Sequence, residues 1–165
     1  MEVRSIEAIV QALNREQVQY LIVGGLAVNA HGYARLTRDL DLVLRLDPTN
    51  ALRGLQCLLQ IGYHMAVPAK PEDFADAATR ERWRSEKNML VLKLWSDEHR
   101  RTPVDVFVYE PFDFADELGR AISVELQPGL TAPVVSLPTL LAMKRSAARP
   151  QDLIDITELQ RLASL

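Results

Sequence analysis

Asp39 and Asp41 stand two residues apart in the run Asp39-Leu-Asp-Leu-Val-Leu-Arg-Leu46. Residues at i and i+2 of a strand share a face. The two carboxylates therefore point the same way, while Leu40 and Leu42 point into the core. Like charges this close repel, and each pKa rises unless a partner intervenes. A divalent cation is the natural partner, and hard oxygen ligands suit Mg²⁺ or Mn²⁺. The plainer reading is an edge-strand pair of solvated aspartates. With eleven Asp in 165 residues, chance supplies roughly 0.7 Asp-x-Asp pairs, so the pair alone does not decide between the two.

The surroundings add to the case. Gly24-Gly25 lies between a β-prone run, Tyr20 to Val23, and a short apolar stretch, Leu26 to His31, that forms a helix ended by Gly32. At such a turn the backbone approaches a ligand closely, and N–H groups at a helix start hold phosphate. A tight turn without a ligand is the alternative. The string GGLAVNAHG lacks the spacing of a dinucleotide fingerprint, and no Gly-Lys-Ser/Thr follows as in a P-loop. Arg35 and Arg38 bracket Thr37 just before the acidic strand. Both are candidates for triphosphate oxygens, or for surface salt bridges, and Thr37 for a contact there or a simple turn.

Asp105 sits among apolar neighbours in Val104 to Tyr109. An Asp inside a strand is disfavoured and costly when buried, so it needs a partner. If its strand pairs beside the Asp39–Asp41 strand, three carboxylates converge. Such a cluster suits two metal ions ~3.5–4 Å apart and in-line attack at phosphorus.

These residues need a scaffold. Apolar positions at Val3, Ile6, Ile9, Val10 and Leu13 predict a helix over 2–15. Strands follow at 20–23 and 39–46, then a helix opening at Pro48 and closed near Gly62. Further strands are expected at 63–67, 88–95 and 104–109, with 68–87 as a loop holding a short helix. A helix near 111–119, strands near 121–126 and 132–135, and helices 138–148 and 150–165 complete the chain. This order predicts an α+β fold, a small mixed β-sheet with helices packed on it. One domain is expected over 1–165: a sheet core to 136, then a C-terminal helical hairpin, 137–165.

Composition narrows the function classes. A net charge of -3 with 48% apolar residues is ordinary for a globular protein. One cysteine excludes an intramolecular disulfide framework or a Cys-rich zinc site. No apolar run approaches a membrane span, and the N-terminus has no signal-peptide core, so a cytoplasmic protein is expected. No basic tail advertises nucleic acid, although a local patch would suffice.

Strand, Gly-Gly, helix, basic turn, Asp-x-Asp and a later strand Asp together resemble the polymerase-β-like nucleotidyltransferase superfamily. The string GGLAVNAHG-YARLTRDLDLVL is most similar to its minimal bacterial branch, related to AbiEii abortive-infection toxins. The tail adds to the likeness, with Leu140-Leu-Ala-Met-Lys144 and then Arg149-Pro-Gln-Asp152-Leu-Ile-Asp155. The resemblance implies that Gly24 and Gly25 contact the triphosphate of a nucleotide. It implies that Asp39 and Asp41 ligate both catalytic metals and that Asp105 ligates one, or acts as base. It implies that Lys144 binds nucleotide phosphate. Many members carry Gly-Ser; here Leu26 follows Gly25, which weakens one phosphate contact.

The expected activity is metal-dependent transfer of an NMP from an NTP such as ATP to a hydroxyl acceptor, with release of pyrophosphate. The acceptor would be tRNA, a protein (a partner toxin or antitoxin among them) or a small molecule. The competing expectation is a non-catalytic module of the same fold that regulates a partner. Remaining polar residues have plainer readings. Asp152 and Asp155 share a helix face and tie the hairpin together, with Arg149 as partner. The run Arg80 to Lys87, with an exposed Trp83, reads as a solvated helix face or a nucleic-acid contact. His31 reads as a packing or hydrogen-bonding residue, and Trp95 and Phe107 as core. His64, His99 and Cys57 have no constellation.

Overall fold

A computed structural model describes residues 1–165. In chain order the elements are α1 (Val3–Arg15), β1 (Tyr20–Val23), α2 (Gly24–Ala30), β2 (Leu40–Leu44), α3 (Pro48–Gln60), β3 (Tyr63–Met65), α4 (Pro71–Ala75), α5 (Ala77–Lys87), β4 (Val91–Ser96), β5 (Val104–Phe107), α6 (Phe114–Arg120), β6 (Ile122–Gln127), β7 (Leu130–Val134), α7 (Leu137–Ala147) and α8 (Pro150–Ala163). The seven strands form one mixed sheet in the order β3-β4-β5-β2-β1-β7-β6. The β2–β5 and β1–β7 pairs are parallel and the others antiparallel.

The central strands β1, β2 and β5 read as short apolar runs because they are covered on both faces. Leu40, Leu42 and Leu44 are fully buried on one side, where α3 lies so close that a Cβ on Gly54 would be 2.7 Å from Leu44. Helix α1 turns Ile6, Ile9, Val10 and Leu13 to this core. Helix α3 starts where Asp47 accepts a hydrogen bond from Asn50 N at 3.0 Å, with Pro48 in its first turn. That arrangement satisfies an orphan N–H and presets φ.

The opposite face carries Asp41 and Val43. Helix α2 packs on it over β1 and β2, with α7 against α2 and α8 against α7. Buried Glu117 fixes the start of α7, accepting hydrogen bonds from Ser136 N and Thr139 Oγ1, both at 2.6 Å. Over β3 and β4 this face is open: His64, Lys93 and Trp95 are exposed.

Several sequence expectations shift. Residues 68–87 form two helices, not a loop with one. Pro71 opens α4, and Asp76 caps α5 by accepting from Thr79 N at 2.8 Å. Trp83 is buried, not exposed, and Arg80 is buried with its Nη1 donating to Phe74 O at 2.6 Å. This run is therefore a packed helix with one solvated side. Trp95 is 47% exposed, not core, because odd positions of β4 face the uncovered half of the sheet. Phe107 is half-buried beside Tyr109. Helix α2 begins at Gly24 itself. Pairing of β2 begins at Leu40, whose N–H donates to Pro103 O, so Asp39 lies in the bend just ahead of the strand.

Candidate functional site

Asp41 and Asp105 meet through the parallel pairing of β2 and β5, where they are register partners. Neighbouring strands lie ~4.8 Å apart, so the two carboxylates stand side by side on one face. Asp39 precedes Asp41 by two residues and is half-buried. Asp41 is also the register partner of Val23, the last residue of β1. The turn from β1 into α2 thus passes directly over Asp41.

That turn explains the double glycine. Gly24 has φ +66, and a Cβ on it would lie 2.6 Å from Asp41 Cγ. A Cβ on Gly25 would lie 2.7 Å from Thr37 Cβ. Both missing side chains are filled by protein atoms, which brings the start of α2 against Asp41 and Thr37. The loop after α2 is held by Asn29, whose amide accepts from Arg35 N and donates to Arg35 O, both at 3.1 Å.

The carboxylates repel as their types and spacing demand. Burial, then the charges of Asp105 and Asp39, push the Asp41 carboxyl up from 3.8 to about 7, against the opposing fields of Lys144 and Arg149. Asp105 is also raised by burial, with Lys93 opposing. Lys93 is the cross-strand partner of Asp105 on β4. Its Nζ donates to both carboxylate oxygens, at 3.2 and 3.0 Å, and this contact raises the ammonium's own pKa. As placed, no group of three or more His, Cys, Asp or Glu side chains closes around an ion. The donor set is hard, anionic and under-compensated, which is the chemistry a divalent cation meets.

Arg35 has a different partner from a phosphate. Its Nε and Nη2 donate to the two oxygens of Asp155 at 2.7 Å each, and its Nη1 to Leu36 O at 3.0 Å. Lys144 is buried, with Nζ 2.8 Å from both Asp152 and Asp155. Arg149 closes the network, its Nε donating to Asp152 at 2.7 Å and its backbone N–H at 3.1 Å. Burial would raise both acids. Hydrogen bonds from Arg149 and Lys144 bring Asp152 down to about 2, and those from Arg35, Lys144 and Gln151 lower Asp155. The five charges clasp the loop after α2 to the α7–α8 pair. Arg38 remains exposed and Thr37 half-buried. His31 bonds Val135 O at 2.8 Å and belongs to the scaffold.

Sequence reasoning missed Lys93 and Asn29. Lys93 shares a face of β4 with Trp95, and only the strand order makes that face the face of Asp105. Trp95, expected in the core, and His64, expected to have no constellation, both lie on this face; their rings are 4.7 Å apart on its open half.

Residues 8–165 match the model of the family described as "Nucleotidyl transferase AbiEii toxin, Type IV TA system". No curated protein matches the chain. Among solved structures, the chain is similar to a lincomycin-bound lincosamide antibiotic adenylyltransferase, LnuA, at TM-score 0.62 and 17% identity over 96% of each chain. It is similar to the antibiotic-resistance factor ANT(2'')-Ia at TM-score 0.60 and 16% identity, over 98% of this chain and 81% of that one. A putative nucleotidyltransferase from Thermotoga maritima matches at TM-score 0.58 and 15% identity, over 96% of this chain and 91% of the other. Likeness at these identities is likeness of fold.

Proposed function

The chain belongs to the AbiEii nucleotidyltransferase family, and from that premise we propose that Asp39, Asp41 and Asp105 form the reaction centre for its NMP transfer. The observation that carries this reading is the register of Asp41 with Asp105 beneath a turn that only glycine permits at Gly24. It concentrates negative charge where charge is otherwise avoided. Nucleotidyl transfer needs no covalent nucleophile; it needs a hydroxyl and an α-phosphate held in line with their charge neutralised. Asp39 and Asp41 would hold a divalent cation, Mg²⁺ or Mn²⁺, which when bound neutralises the triphosphate and orients it.

This chain's own residues supply the rest. Backbone N–H groups of Gly24 and Gly25 face the triphosphate, and exposed Arg38 reaches its oxygens. Asp105 lies on the acceptor side and takes the proton as the acceptor oxygen bonds to phosphorus and pyrophosphate departs. Lys144 and Arg149 act through their fields at Asp41; Lys144 would have to leave one of its two aspartates to touch a phosphate. Arg35 holds the loop and is spent on Asp155. The acceptor, whether tRNA, a partner toxin or antitoxin protein or a small molecule, approaches over the open half of the sheet. ATP is one candidate donor.

The test is thermal denaturation with each of the four NTPs and Mg²⁺, on wild type and Asp41→Asn, followed by transfer of label from α-labelled NTP to RNA and protein acceptors. A ligand that binds only the native state raises the melting temperature by mass action. We expect a magnesium-dependent rise that Asp41→Asn loses, and labelled acceptor that EDTA abolishes. No rise with any NTP at millimolar concentration would refute the reading and favour a non-catalytic module.

A further inference from the structure

Lys93 is a cation held within the site by backbone pairing. Strands β4 and β5 put it directly across from Asp105, and its Nζ donates to both oxygens of that carboxylate. Asp105 is only 9% exposed, whereas the Lys93 side chain is 66% exposed. The ammonium therefore meets Asp105 from the solvent side, on the uncovered half of the sheet.

A cation bridging Asp41 and Asp105 would have to approach Asp105 within ~2.1 Å, the bond length of Mg²⁺ to oxygen. Lys93 already stands 3.0 Å from the same group. The ion and the ammonium would then be near neighbours of like charge on one buried carboxylate, and repulsion grows steeply at such range in a desolvated site. Asp39 and Asp41 have no such resident cation: the nearby Lys144 and Arg149 are committed to Asp152 and Asp155. The two sides of the acidic cluster thus differ. One carries no resident cation of its own, and the other has a built-in one.

We infer that Lys93 replaces the second, acceptor-side metal ion, so that the nucleotide-loaded site takes one divalent ion per chain. This rests on the function proposed above. Lys93 is then a positioning residue: it neutralises Asp105 and fixes its orientation without consuming a coordination site.

The experiment counts Mn²⁺ ions bound per chain, by equilibrium dialysis and electron paramagnetic resonance, with a saturating non-hydrolysable NTP analogue, on wild type, Lys93→Met and Lys93→Arg. Because Lys93 is exposed, both variants should fold, which circular dichroism checks. We expect one ion in wild type, two in Lys93→Met and one in Lys93→Arg. Two ions in wild type would overturn the inference and leave the proposed function standing. One ion in both wild type and Lys93→Met would also overturn it, since another feature would then exclude the second ion. No bound ion in wild type would sink both.

Discussion

Replacing Asp41 by Asn should make the protein more stable at pH 8, while removing the carboxylate that the proposed reaction needs most. In the folded state the Asp41 carboxyl is pushed from 3.8 to about 7, by burial first and then by Asp105 and Asp39. A folded-state pKa above the unfolded one means the native protein holds this proton more tightly. The associated stability is complete below the unfolded value and is lost as pH rises through about 7. At ~1.4 kcal/mol per tenfold change in a proton equilibrium, the full difference amounts to ~4 kcal/mol. Asp41 is half-buried, and solvent screening reduces this to about 2–3 kcal/mol. Asn mimics the protonated carboxyl and does not titrate. Wild type and Asp41→Asn should therefore match at about pH 3, below the unfolded value of 3.8, and the variant should be ahead by about 2–3 kcal/mol at pH 8. For a chain of this size that corresponds to a melting temperature about 5–10 °C higher. Urea denaturation in EDTA at four pH values, analysed by linear extrapolation, measures the difference. A difference that does not change with pH, or a variant less stable at pH 8, would refute the reasoning.

Gly24→Ala should lose at least ~2 kcal/mol, since a left-handed φ costs an L-residue ~1–2 kcal/mol and the new Cβ meets Asp41; calorimetry showing wild-type stability would contradict this. Asp155→Ala should cost about 3–5 kcal/mol, because Arg35 and buried Lys144 both lose a carboxylate; a loss under ~1 kcal/mol in urea would mean that water replaces it freely. Acrylamide should quench Trp95 readily in a Trp83→Phe variant and should hardly touch Trp83 in Trp95→Phe, given 47% and 8% exposure; equal quenching would contradict the placement of the two rings.

Much of the fold was legible because its elements carry local signals. The 3.6-residue spacing of Ile6, Ile9, Val10 and Leu13 marks α1, and Pro48 with Asp47 before it marks the start of α3. The two helices of residues 68–87 differ from the expected loop with one helix because they rest on caps from Lys70, Asp73 and Asp76 and on only two large apolar anchors, Phe74 and Trp83, in a run rich in charge. A charged run has weak apolar periodicity, so its burial is visible only once α4 has docked on α3. Trp95 was misplaced for the opposite reason. Aromatic residues in strands are usually core, and nothing near Trp95 in sequence says that one sheet face is left uncovered.

Residue types and their spacing fixed the local chemistry: a glycine able to turn at φ +66, two carboxylates two residues apart, of which Asp41 lies in β2 and Asp39 in the bend before it, and a third carboxylate isolated in an apolar strand. These depend on residue type and on a period of two, both readable within a few positions. Only the tertiary structure decided which charges meet. Arg35 and Asp155 are 120 residues apart and Lys93 and Asp105 twelve, and each pair is made by strand order or helix docking. Parallel pairing of β2 with β5 sets Asp105 beside Asp41, and antiparallel pairing with β4 gives it Lys93. Coulomb attraction acts through space and is indifferent to separation along the chain. The neutralising partners of Asp105 and Asp155 are therefore visible only once strands and helices are in place, whereas Arg149, three residues from Asp152, is legible as its partner from sequence.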